Sequence, residues 1–77
     1  MSIQDISITN NQKKLLVKAI KDTQILVQEE NGDVIVNVKA YLALKNNIAY
    51  KNTGAEPIEE IIGSDELDFE AEYFVFS

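Results

Sequence analysis

The side chains best equipped for chemistry in this chain are its carboxylates, and they crowd together. Glu56, Glu59, Glu60, Asp65, Glu66, Asp68, Glu70 and Glu72 lie in residues 53–77 with no basic residue among them, a net of −8. Residues 1–52 hold all seven lysines against five acids, a net of +2. Carboxylates can transfer protons, ligate hard cations or imitate the charge of a nucleic-acid backbone, so each use has to be weighed. Asp65, Glu66 and Asp68 offer oxygen ligands, but their spacing is not that of a calcium loop, and crowding in an acidic segment accounts for them. A carboxylate pair for glycoside chemistry needs a cleft and a sugar platform, which a 77-residue chain without Trp or Arg hardly supplies. The chain also lacks His and Cys, which removes the usual general base, the usual zinc ligands and the usual nucleophilic triads. The expectation is a non-enzymatic protein with no catalytic residues, no metal and no cofactor.

The residues singled out for partner binding lie at the C-terminus. Read as a strand, 68–76 places Asp68, Glu70, Glu72, Phe74 and Phe76 on one face and Phe69, Ala71, Tyr73 and Val75 on the other. Three carboxylates about 6.7 Å apart would form a regular negative ladder. Phe74 and Phe76 beside them would form an aromatic patch with a charged rim, as at a protein interface. The competing reading is a strand covered on both sides, for which an ending Phe-Val-Phe is equally suitable. Lys14, Lys18 and Lys21 fall on one side of a helix. Without arginine, in an acidic chain, a solvated surface explains them better than direct nucleic-acid binding.

These residues need elements to hold them. Thr9-Asn10-Asn11-Gln12 fits a capping box, and Leu15, Leu16, Ala19 and Ile20 then form the apolar stripe of a helix over 10–21. Asn31-Gly32 signals a two-residue hairpin loop, which pairs Val27 with Val36 and Ile25 with Val38. Alternation continues through Val34, Val36, Val38, Ala40, Leu42 and Leu44, so a strand is read over 33–45. A three-residue loop leads to another strand at 48–52. Pro57 opens a short helix over 57–62 that Gly63 closes. The reading is a single α+β domain, 1–77: a small, mainly antiparallel sheet of about four strands (24–30, 33–45, 48–52, 68–76), which 3–9 can extend, with one amphipathic and one short helix. An all-β fold is the alternative if 13–21 is a strand. The predicted core is Leu16, Ile20, Ile25, Val27, Val36, Val38, Leu42, Ile61, Phe69 and Tyr73.

A chain this short has a thin core and gains from a partner. The functional expectation is therefore a protein-binding domain, a structural or assembly subunit of a larger complex, with self-association into a homo-oligomer as one form. The mildly basic N-terminal part of one copy could meet the acidic part of the next. The alternative is a small acidic inhibitor that mimics nucleic acid against a nucleic-acid-binding protein. A phage or mobile element would suit it, because abundant Ile, Asn and Lys without Arg fit AT-rich coding. No apolar run reaches the roughly 18 residues of a membrane span and no signal pattern opens the chain, so the expected location is cytoplasmic. A virion or released particle would have the same composition.

Overall fold

The computed structural model of the chain describes residues 2–20, 26–28, 32–54 and 56–77. The chain is α+β. In order it forms β1 (Ile3–Ile6), α1 (Asn10–Ile20), β2 (Leu26–Gln28), β3 (Val34–Asn37), α2 (Val38–Lys45), α3 (Ile48–Lys51), α4 (Ile58–Ile62), a 3₁₀ turn (Ser64–Glu66) and β4 (Tyr73–Phe76). The strands form one mixed sheet in the order β1-β4-β3-β2. β4 runs antiparallel to β3, and β2 to β3, while β1 lies parallel to β4.

The α1 cap is built from the predicted residues. The Thr9 amide donates to Gln12 Oε1 at 2.9 Å and the Gln12 amide donates to Thr9 Oγ1 at 3.1 Å. Leu16, Ala19 and Ile20 are buried, whereas Leu15 is 45% exposed. Gln12 Nε2 also donates to the Ile61 carbonyl at 3.3 Å, which ties α1 to α4. Lys21 and Ile25 lie outside the described residues.

Three expected strands change. The long strand over 33–45 stops at Asn37, whose side chain accepts from the Ala40 amide and starts α2. Val-Lys-Ala-Tyr-Leu-Ala-Leu-Lys is rich in good helix formers, and its Val38, Tyr41, Leu42 and Lys45 recur at helical spacing. An apolar set at 38, 40, 42 and 44 fitted period two only because this segment is apolar nearly throughout. The expected strand 48–52 is α3, capped by Asn47, whose side chain accepts from the Ala49 amide at 2.8 Å. The strand at 68–76 shortens to 73–76. Asp68 Oδ1 accepts from the Glu70 amide at 3.0 Å and the Asp68 carbonyl from the Ala71 amide at 3.0 Å, so 68–72 turns. The four observed strands thus include β1 in place of 48–52, and the β1–β4 pair makes the sheet mixed.

The hairpin register differs by one residue. Leu26 pairs with Val36, Val27 with Ile35 and Gln28 with Val34, whereas a two-residue Asn-Gly loop requires Val27 opposite Val36. Asn31 lies outside the described residues. Ile25-Leu26-Val27 is apolar at three consecutive positions, so either register sets an apolar residue opposite Val36 and alternation could not choose between them.

The core lies between one sheet face and the helices. Ile6, Val34, Val36, Phe74 and Phe76 supply the sheet side, and Leu16, Ala19, Ile20, Val38, Tyr41, Ile58 and Ile62 the helical side. Leu42, Ile61 and Phe69 pack against this cluster from partly buried positions. Tyr73, expected in the core, is only half-buried and stands on the opposite sheet face.

Candidate functional site

The register decides which residues share the second sheet face. Ile3 lies opposite Tyr73 and Asp5 opposite Val75 across the parallel pair, and Tyr73 faces Asn37 while Val75 faces Ile35 across the antiparallel one. Two cross-strand rows follow: Ile3–Tyr73–Asn37 and Asp5–Val75–Ile35. Residues two apart on a strand stand about 6.7 Å apart and neighbouring strands about 4.8 Å, so the rows form one continuous patch. Ile3 is 53% exposed, Asp5 is exposed, and Ile35, Tyr73 and Val75 are half-buried. None of the four apolar residues belongs to the core cluster or packs against it. A sheet with one face in the core and the other partly solvated ordinarily carries polar residues outward. This one carries Ile3, Ile35, Tyr73 and Val75 beside the two polar residues Asp5 and Asn37.

Phe74 and Phe76, expected as an exposed aromatic pair, are both at 0% exposure. β4 lies inside the sheet with β1 and β3 on its two sides, and its Phe74–Phe76 face is the one the helices cover. Phe74 meets Phe76 and Phe69 edge-on, each with centroids 5.8 Å apart. Their side chains therefore belong to the monomer's interior.

Asp68, Glu70 and Glu72 are exposed, as placed, but on a turn and not along a strand, so they form no regular ladder. Gln4 holds this segment from β1: its Nε2 donates to the Glu66 carbonyl and its Oε1 accepts from the Asp68 amide, both at 2.7 Å. The Glu72 amide donates to the Ser2 carbonyl (2.9 Å) and to the Ser2 hydroxyl (3.2 Å), which fastens the start of β4 to the start of β1. Among the described residues no group of three acids is arranged to hold a metal ion, and Asp65, Glu66 and Asp68 do not converge.

A second cluster joins α2 to α4. The Tyr41 hydroxyl donates to Glu59 Oε1 and accepts from the Ile58 amide at 2.9 Å, while Lys45 Nζ reaches Glu59 Oε2 at 2.5 Å. Burial, followed by the hydrogen bond to Glu59, pushes the Tyr41 phenol well above its ordinary range. Burial alone would raise Glu59, but the bonds from Lys45 and Tyr41, with a backbone bond and the Lys45 charge, hold the carboxyl below the usual carboxylate range. Tyr50, raised by burial and then by the Glu59 charge, directs its hydroxyl to the Ala19 carbonyl at 3.5 Å. A cleft of about 330 Å³ opens beside this cluster, lined by Lys45, Asn46, Tyr50, Lys51, Pro57 and Glu59. Tyr41 keeps its proton and Glu59 keeps its charge, each already engaged by the other. The chemistry of this arrangement is that of a brace.

Sequence reasoning missed the open-face patch. Ile35 was its one legible sign, since it stands on the expected solvent side of β3 beside Asn37. Tyr73 and Val75 could be placed only after β4 was known to present Phe74 and Phe76 inward. No protein-family model matches the chain, and no curated protein or solved structure is significantly similar to it.

Proposed function

We propose that this chain is a non-enzymatic protein-binding domain, a structural or assembly subunit that docks on another chain through the open face of its sheet. One observation carries this reading: exposed Ile3 and half-buried Ile35, Tyr73 and Val75 adjoin one another outside the core, on a sheet whose other face supplies it. Exposed contiguous apolar surface is costly in water and is commonly recovered by association.

A photo-crosslinking residue placed at Ile35 in the producing cell tests this, with the same residue at exposed Ile48 on α3 as the control. A discrete adduct from position 35 and none from position 48 is the expected result. Equal labelling from both, or none from position 35, would remove the open face as the docking site.

A second reading, an acidic inhibitor of a nucleic-acid-binding protein, draws on the exposed carboxylates of 65–72, which Gln4 and the Asp68 turn hold in place. It predicts salt-weakened binding to a basic protein, lost in the double variant Glu70→Gln/Glu72→Gln. Binding indifferent to both salt and the double variant would exclude it.

A further inference from the structure

We infer that the open face takes a basic partner, one that sets a cation against Asp5 within an apolar surround, and not a second copy of this chain. This deepens the docking reading above and rests on it. Asp5 stands in the row Asp5–Val75–Ile35, two residues along β1 from Ile3 and next to the Tyr73–Val75 pair. Any surface laid over Val75 and Tyr73 therefore also covers Asp5.

Asp5 makes no ion pair among the described residues. Sealing a carboxylate from water without a counter-charge costs more free energy than a small apolar patch recovers, so the covering surface must bring one. The sheet itself has none to offer. The open-face residues of β1, β3 and β4 include one carboxylate and no cation, and the three residues of β2 are uncharged. An isologous pair lays this face on a copy of itself, with no cation among the described open-face residues to meet Asp5, and brings together two chains of net charge −6. Like-charge juxtaposition between two acidic copies works against self-docking, and the same charge balance favours a cationic partner.

The test is an NMR titration of the ¹⁵N-labelled full chain with a β-hairpin peptide alternating lysine with valine, and with its glutamine-for-lysine counterpart. With the lysine hairpin, amide shifts are expected at Ile3, Asp5, Ile35, Tyr73 and Val75. Affinity should fall about tenfold for the glutamine hairpin, and equally for Asp5→Asn against the lysine hairpin. Equal affinity for both hairpins, with shifts on the face, would overturn the cation requirement and leave the docking reading standing. Shifts confined to 65–72, or none on the face with either peptide, would overturn both. Light scattering over a hundredfold range of concentration completes the test. A monomer is expected, and a dimer that Tyr73→Ser dissolves would put a second copy on the face and overturn the proposal.

Discussion

Tyr41 shows how much one side chain can hold together. Its hydroxyl is both the donor to Glu59 and the acceptor for the Ile58 amide, in a position with no exposure. Tyr41→Phe leaves that amide without its partner, and the expected loss is about 1–3 kcal/mol in urea unfolding. Lys45→Met should cost less, about 1 kcal/mol or below, because the Lys45–Glu59 pair is partly exposed at 34% and 18%. The same cluster fixes the pH response. Glu59 has a lowered folded pKa, so its contribution is present above the usual carboxylate range and is lost as pH falls through its lower folded value. Tyr41 has a raised one, so its contribution is present below about pH 10 and is lost as pH rises toward the folded value. Thermal unfolding from pH 2 to 11 should show the acid limb flattened in Glu59→Gln and the alkaline limb flattened in Tyr41→Phe.

Among the elements, the short helices depend on their ends more than on their length. Neither α2 nor α3 would be stable alone, since isolated helices below about 12 residues are marginal in water. Asn37 terminates β3 and begins α2 in one residue, so Asn37→Ala should cost about 1 kcal/mol by denaturant midpoint. Gly63 closes α4 at φ +101°, a conformation that other residues adopt only with strain. Its surroundings are open, so Gly63→Ala meets no clash, and the expected cost of about 1–3 kcal/mol is backbone strain alone. Both ends were legible as punctuation: Pro57 and Gly63 bracket α4, and Thr9 with Gln12 opens α1. Asn46 and Asn47 read equally well as loop residues, because asparagine serves caps and turns by the same side-chain bond, and Asn37 fitted the polar side of the strand read over 33–45. That ambiguity hid α2 and α3 inside an apparent strand pair.

At the scale of the molecule, the two faces of β4 should respond oppositely to substitution. Phe74→Ser removes a fully buried ring from the centre of the core and should cost about 3–5 kcal/mol, enough to unfold a domain of this size. Tyr73→Ser, one residue away on the open face, should leave a folded domain by circular dichroism and lose the docking partner. An aromatic patch at Phe74 and Phe76 would have produced the reverse. No helix among the described residues is long and apolar enough to cross a membrane.

What the sequence determined by itself was local: the capping box of α1, the brackets of α4, the presence of β3, and the division of charge along the chain. Each follows from residues within a few positions of one another, where backbone hydrogen bonding and side-chain periodicity act directly. Which face of β4 enters the core, which register β2 adopts, and where 33–45 turns from strand to helix were decided by tertiary packing. Those segments are apolar on both sides, so period two and period 3.6 fit them alike and alternation carries no direction. Only the helices lying over one face of the sheet break that tie. The same packing buries Phe74 and Phe76 and leaves Ile3, Ile35, Tyr73 and Val75 on the open face of the sheet.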